Sequence, residues 1–124
     1  DYLLYMEKAG MVAQLRTGAS GLGALGKPEK VYLDNTNILY NLSDGREDVG
    51  SVRETFFFNQ MRVNHLVTTS RISGFQIGDL TFEVGGKSKT ADQIRGAEKG
   101  YVVKDDIEFG YGNVVPLWAF GLNY

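Results

Sequence analysis

The first half of this chain has apolar positions at mainly helical spacing. The pattern predicts a short helix over Tyr2–Lys8, a strand-like run after Gly10 and a strand at Val31–Leu33. A second helix should begin among residues 34–37, any of which can cap a helix, and end near residues 43–45. The longest helical pattern covers Asp48–Met61, and its apolar side should contain Val49, Val52, Phe56 and Phe57.

From Leu66 onward the apolar positions alternate as they do in strands. Strands are predicted at Leu66–Thr69, Phe75–Ile77, Leu80–Val84 and Tyr101–Val103, with a hairpin turn between the second and the third. A short helix is predicted over Thr90–Arg95, and the aromatic tail from Val114 should pack against the body. These elements predict an α+β fold in which a small mixed sheet is flanked by helices.

A glycine-rich segment, residues 17–30, separates the first elements from the rest. It contains G-x-G-x-x-G at Gly21–Gly26 and, with Lys27, most of a phosphate-binding loop. The loop needs a hydroxyl where the chain has Pro28, and both motifs need a following helix, whereas a strand is predicted to follow. We therefore interpret residues 17–30 as a flexible connector.

Composition narrows the class of protein. The chain has 124 residues, of which 43% are hydrophobic, enough for one globular domain. It has no cysteine and one histidine, His65, so a structural zinc site and a Ser-His-Asp or Cys-His catalytic group find no support. No membrane span or export signal is recognised, which predicts a cytoplasmic protein without a membrane partner. A net charge of −2 argues against a broad basic surface for nucleic acid.

Three carboxylates are candidates for a metal site: Glu54 on the long helix, Asp79 in the hairpin turn and Glu83 on the following strand. With Lys87, they would hold Mg²⁺ or Mn²⁺, activate water and stabilise charge on a phosphate, with Glu83 and Lys87 as catalytic residues. A structural interpretation stands beside this one. Glu83 lies in a buried strand and needs a partner, for which we expect Lys87 or Arg53.

Basic residues are concentrated between Lys87 and Lys104. Among them Lys87, Lys89 and Arg95 are the candidates for contact with a nucleic-acid backbone. Two aspartates and Glu108 follow directly and would oppose the positive field, so a solvated surface is the alternative.

Five blocks resemble a known family. The chain is similar to the C-terminal domain of unknown function that follows the ATPase core in many bacterial and archaeal AAA-type ATPases. Residues 2–16 also resemble the segment that joins the ATPase to this domain, and the opening at Asp1 looks like a cut inside a longer protein. The five blocks are Lys30–Asn37, Arg53–Gln60, Phe82–Lys87, Asp106–Glu108 and Pro116–Gly121.

The resemblance implies a restriction-endonuclease-like fold of the PD-(D/E)xK type. It divides the chain into a lead-in from the ATPase (1–16), the connector (17–30) and a nuclease-like domain (31–124). The chain has Gly74 where that pattern carries an aspartate and Gly85 where it carries the lysine two residues after Glu83. These departures predict a degenerate active site.

The resulting hypothesis is an accessory domain that recognises nucleic acid or a partner, including its own ATPase core, where ATP would bind. One alternative is a divalent-metal-dependent phosphodiesterase acting on DNA or RNA. Another is a structural interaction module that uses Trp118, Phe120 and Tyr124.

Overall fold

A computed structural model describes residues 2–18 and 28–123. The α-helices within these residues are α1 (Tyr2–Lys8), α2 (Thr36–Ser43) and α3 (Val49–Met61). The side chain of Asn35 caps α2 by accepting from the Ile38 amide, and Asp48 caps α3 by accepting from the Ser51 amide. Most of the connector predicted at 17–30, including the glycine motifs, lies outside the described residues.

Seven strands form one mixed sheet in the order β2-β1-β3-β4-β5-β6-β7. The mixed α+β architecture with helices flanking a sheet is therefore confirmed. The strand of the lead-in, β1, pairs with both β2 and β3, so it belongs to the same sheet as the rest of the chain. The strands are β1 (Val12–Thr17), β2 (Lys30–Leu33), β3 (Thr68–Thr69), β4 (Phe75–Ile77), β5 (Leu80–Gly85), β6 (Gly100–Lys104) and β7 (Val114–Pro116).

The main core lies between α3 and one face of the sheet. Phe57 is fully buried there, with its ring 5.0 to 5.3 Å from those of Phe75, Phe82 and Phe120. A smaller cluster of Ile94, Val102 and Val114 covers part of the other face. Aromatic packing at these separations stabilises the contact between helix and sheet, which fixes the position of α3 over the strands.

The buried face of α3 differs from the predicted one. Its buried residues are Thr55, Phe57, Phe58 and Met61, whereas Val49 is 53% exposed. Met61 and Phe58 are three residues apart and Thr55 lies three before Phe58, so they form one helical stripe. The sequence contains three consecutive phenylalanines, and periodicity alone did not identify which two face the sheet.

Two other elements are shorter than predicted. The helix expected over Thr90–Arg95 is a single 3₁₀ turn, Asp92–Ile94, without a side-chain cap. The strand expected at Leu66–Thr69 is reduced to β3, and Leu66 is 83% exposed. The aromatic tail forms β7 and a 3₁₀ helix, Leu117–Leu122, in which Phe120 packs on the core and Trp118 stays exposed. None of the described helices has the length and apolar character needed to cross a membrane.

Candidate functional site

The carboxyl ends of five strands meet at one edge of the sheet. Strand β1 runs parallel to β3, while β5, β6 and β7 are mutually parallel. Strand β4 is antiparallel to both β3 and β5, so β3 and β5 run in the same direction. The five strands that share this direction are β1, β3, β5, β6 and β7. Loops that follow carboxyl ends of neighbouring parallel strands are a common place for ligand sites. We call this the carboxyl edge.

Glu83 lies near the carboxyl edge on β5 and is buried, with 7% of its surface exposed. Its Oε1 is 2.7 Å from Nζ of Lys89, and its Oε2 accepts a hydrogen bond from the Ser73 hydroxyl. Both carboxylate oxygens are therefore satisfied inside the protein. The prediction that Glu83 needs a partner is confirmed, but the expected partners were wrong, because the ion pair is with Lys89.

Lys89 reaches Glu83 because position 85 has no side chain. A Cβ built on Gly85 would lie 2.7 to 2.8 Å from three carbons of the Lys89 side chain. The chain turns back after β5, with the Lys89 amide bonded to the Gly86 oxygen, and this brings the lysine stem over the strand. The ammonium group thus approaches Glu83 from the loop rather than from the strand.

Gly74 lies next to the Glu83 carboxylate, on the side of Oε2. Its φ is +68°, and a Cβ there would collide with the backbone oxygen of Phe82 and lie 3.0 Å from Oε2 of Glu83. A side chain at position 74 is therefore excluded in this conformation. An aspartate at that position would require a different path for the β3–β4 loop.

Glu54 has separate partners. Its Oε2 accepts from the Tyr32 hydroxyl at 2.6 Å and from Nζ of Lys30 at 3.2 Å. Burial raises the pKa of Tyr32 far above its usual range, and the hydrogen bond to Glu54 with the negative charges of Glu54 and Glu83 adds to this effect. Tyr32 is therefore a permanent hydrogen-bond donor to Glu54.

The three predicted metal ligands do not form one group. Asp79 pairs with Lys99 at the surface, in contrast to the partly buried and buried positions of Glu54 and Glu83. Within residues 2–18 and 28–123, no three Asp, Glu, His or Cys side chains are arranged to hold a metal ion. Glu83 differs from the other two in that its contact with a lysine, Lys89, is buried.

The three candidate nucleic-acid contacts have different environments. Lys87 is exposed, and its side chain has no partner among the described residues. Lys89 is occupied by Glu83 and also donates to Gln93, while Arg95 forms an exposed ion pair with Asp92. Of the three, Lys87 has the ammonium group that is open to a phosphate.

Lys104 and Tyr111 lie beside Lys87. Nζ of Lys104 donates to the Lys87 oxygen at 3.3 Å and lies 5.9 Å from the centre of the Tyr111 ring. Tyr111 is 62% exposed, so its ring is accessible from solvent. Two cations and an exposed aromatic ring thus form a surface at the carboxyl ends of β5 and β6. We call Lys87, Lys104 and Tyr111 the basic patch.

The acidic residues that follow the basic patch are bound by Arg53. Its Nε lies 2.9 Å from Asp105 and its Nη2 lies 3.1 Å from Asp106. Arg53 has an 18% exposed side chain and packs against Gly86, where a Cβ would lie 2.8 Å from Nη1. The negative field that Asp105 and Asp106 were expected to exert on the neighbouring lysines is therefore partly compensated.

A polar cleft of about 770 Å³ lies at the other end of the carboxyl edge, beside β1, β2 and the β3–β4 loop. Tyr32, Leu15 and Phe75 contribute its apolar wall. Its polar lining includes Thr17, Thr68, Thr69, Ser70, Arg71 and Glu54. A volume of this size is in the range of small-molecule sites.

Sequence reasoning missed several of these residues. Ser73, Tyr32 and Lys30 were not recognised as partners because their contacts join positions 10 to 24 residues apart. One signal was available for Lys89, since the pair Gly85-Gly86 marks a reversal of the chain that brings the next lysines back toward β5. No comparable signal identified Arg71 or Tyr111.

The chain was compared with models of known protein families, with curated protein sequences and with solved structures, and no significant match was found in any of them. The resemblance to the C-terminal domain of AAA-type ATPases therefore stays a prediction from the sequence.

Proposed function

We propose that this domain binds single-stranded nucleic acid at the carboxyl edge, as the accessory domain of an AAA-type ATPase with a restriction-endonuclease-like fold and a degenerate active site. The observation that carries the proposal is the basic patch, in which Lys104 is held between the Lys87 backbone and the Tyr111 ring. Proteins that bind single strands combine cations for the backbone with aromatic rings for the bases.

The charges near the basic patch favour this function. Asp105 and Asp106 are paired with Arg53, and Glu83 is paired with Lys89, so the ammonium groups of Lys87 and Lys104 are left with reduced opposition. A low overall charge then limits non-specific attraction, and affinity depends on this local surface.

The ion pair at Glu83 argues for recognition rather than cleavage. Metal-dependent hydrolysis of a phosphodiester needs carboxylates free to bind the ion. Both oxygens of Glu83 are engaged, and Gly74 leaves no room for the second carboxylate that the resemblance implies.

A divalent-metal-dependent phosphodiesterase is the second candidate function. A carboxylate and a lysine, the residue types that a nuclease uses for the metal and the phosphate, lie side by side at Glu83 and Lys89. For this function a metal ion would have to replace Lys89 at Oε1 of Glu83. In this alternative Lys89, reaching back from the loop, takes the catalytic role expected for Lys87.

Binding is tested by fluorescence anisotropy with labelled single- and double-stranded DNA and RNA at several salt concentrations. The variant Lys87→Ala/Lys104→Ala should lower affinity for single strands at least about tenfold and reduce the salt slope by about 1.4, the value for two lost contacts. The matched control, Lys8→Ala/Arg46→Ala, removes the same charge from exposed positions elsewhere and should keep both. Equal losses in the two variants, or no binding at low salt, would contradict the proposal.

Cleavage is tested on the same substrates with Mg²⁺ or Mn²⁺, comparing the unmodified chain with Glu83→Gln. The recognition function predicts no cleavage by either protein. Cleavage that disappears in the variant would establish the phosphodiesterase instead.

A further inference from the structure

We infer that the polar cleft binds one nucleotide unit, with Arg71 on its phosphate and Glu54 accepting a hydrogen bond from its base. The inference rests on the proposed function, because it gives a place at the carboxyl edge to one residue of the bound strand. It also makes an independent claim, that a free nucleoside monophosphate binds to this chain.

Arg71 is the residue that would bind the phosphate of the nucleotide. It is exposed, lines the cleft and forms no ion pair or hydrogen bond with another described residue. Thr68, Thr69 and Ser70 also line the cleft. A guanidinium group with hydroxyl groups beside it suits the planar geometry and the acceptor oxygens of a phosphate.

Glu54 is the residue that would accept a hydrogen bond from the base. Its Oε2 is occupied by Tyr32 and Lys30, while its Oε1 has no hydrogen-bond partner among the described residues. The Tyr32 hydroxyl and the Lys30 ammonium group both donate to Oε2, which restrains the orientation of the carboxylate. Every nucleic-acid base presents an N–H group that a fixed carboxylate oxygen can accept from.

The apolar part of the cleft suits the face of a base. Leu15, Tyr32 and Phe75 line the cleft together with Glu54, and its volume is about 770 Å³. A site with an apolar wall and few polar groups is typical of small-ligand recognition. The alternative occupant, an inorganic anion at Arg71, would leave both the apolar wall and Glu54 unused.

The cleft and the basic patch lie along the same edge of the sheet. Four strand spacings separate β1 from β6, which is about 19 Å along the carboxyl edge. Glu83 and Lys89 lie between them, on β5 and the loop after it. A strand that crosses this edge would contact the basic patch with its backbone and place one nucleotide in the cleft.

The test is calorimetric titration of the chain with AMP, GMP, CMP and UMP, and with the corresponding nucleosides. At least one nucleotide should bind at least tenfold more tightly than its nucleoside. Arg71→Ala should remove this difference, whereas Glu54→Gln should weaken nucleotide and nucleoside alike. Arg46→Ala, which removes an exposed arginine outside the cleft, should leave all affinities unchanged.

Three results would overturn the inference, of which the first two are nucleotides that bind no better than nucleosides and a phosphate preference that persists in Arg71→Ala. The basic-patch variant Lys87→Ala/Lys104→Ala separates this test from the test of the proposed function. It should keep nucleotide binding while losing affinity for single strands. If this variant loses neither nucleotide binding nor affinity for single strands, the proposed function fails while the cleft remains supported. The third overturning result is inorganic phosphate that binds as tightly as the nucleotides, because the cleft would then be only an anion site.

Discussion

The ammonium group of Lys89 lies 2.7 Å from the carboxylate of Glu83, and the stem of that lysine covers Gly85 on the same strand. The side chains of the pair are 25% and 9% exposed. Breaking a buried ion pair leaves one charge unpaired in a poorly solvated position, whereas removing both charges is tolerated.

Lys89→Met should therefore lower the free energy of unfolding by about 3 kcal/mol, and Glu83→Gln/Lys89→Met should recover most of that loss. Chemical denaturation monitored by circular dichroism measures both. The control is Lys99→Met, which removes a lysine from the exposed pair with Asp79 and should change stability little. A double variant no more stable than Lys89→Met would show that the lysine stabilises through its stem rather than its charge.

Gly74 provides a second prediction. Gly74→Ala should destabilise the fold by about 3 kcal/mol or more, because the new Cβ meets the Phe82 backbone at a φ of +68°. Gly78→Ala is the matched control, since Gly78 has a φ of +59° with nothing within 4 Å of the added carbon. It should cost only about 1 kcal/mol, the price of the left-handed conformation. Equal losses in the two variants would mean that the β3–β4 loop moves to admit a side chain.

Arg53 should influence binding at the basic patch, because it neutralises two neighbouring aspartates. Arg53→Ala should weaken affinity for single-stranded nucleic acid threefold to tenfold (roughly 0.6 to 1.4 kcal/mol), because Asp105 and Asp106 lose their counter-charge. The variant Arg53→Ala/Asp105→Asn/Asp106→Asn should regain affinity in the same anisotropy assay. Arg62→Ala, which releases Asp34 instead, serves as the control and should not change binding. Failure of the triple variant to recover would assign a direct contact to Arg53.

Asp48 predicts a dependence of stability on pH. Hydrogen bonds from the backbone and side chain of Ser51 hold the pKa of Asp48 below its ordinary value of 3.8. A lowered folded-state pKa contributes stability that is present above pH 3.8 and is lost as the pH falls through the lowered value. Thermal unfolding should show Asp48→Asn less stable than the unmodified chain at pH 7, with a difference that shrinks toward pH 2. A difference that stays constant with pH would exclude the carboxylate charge as its source. Glu108→Gln alters an exposed carboxylate without a side-chain contact among the described residues, and it should change stability little at either pH.

The fold was largely accessible from the sequence, because its signals are local. The cap at Asp48, the hairpin between Ile77 and Leu80 and the apolar run of β5 all act within a few residues. The errors occurred where tertiary contacts determine which residues are buried and how long an element is. Phe58 is buried in the core whereas Phe56 is only partly buried against it, and the predicted helix at Thr90–Arg95 is limited to one turn.

The candidate site was accessible only in part. That Glu83 would be buried and require a partner followed from its place between Phe82 and Val84. The choice of Lys89 over Lys87 depended on the direction of the loop after Gly85-Gly86, which spacing does not reveal. The cleft depends on the approach of α3 to β2, shown by the bond between Glu54 and Tyr32 across 22 residues, and no local pattern encodes such an approach.

The stem of Lys89 occupies the space that a side chain at position 85 would need, so positions 85 and 89 cannot both carry a long side chain. Any side chain at position 85 would displace Lys89, and a long side chain at position 89 requires glycine at position 85. In relatives with the same backbone, a lysine should therefore occur at one of these positions and not at both, so exchanging Gly85 and Lys89 should move the positive charge from the loop to the strand while keeping its contact with Glu83.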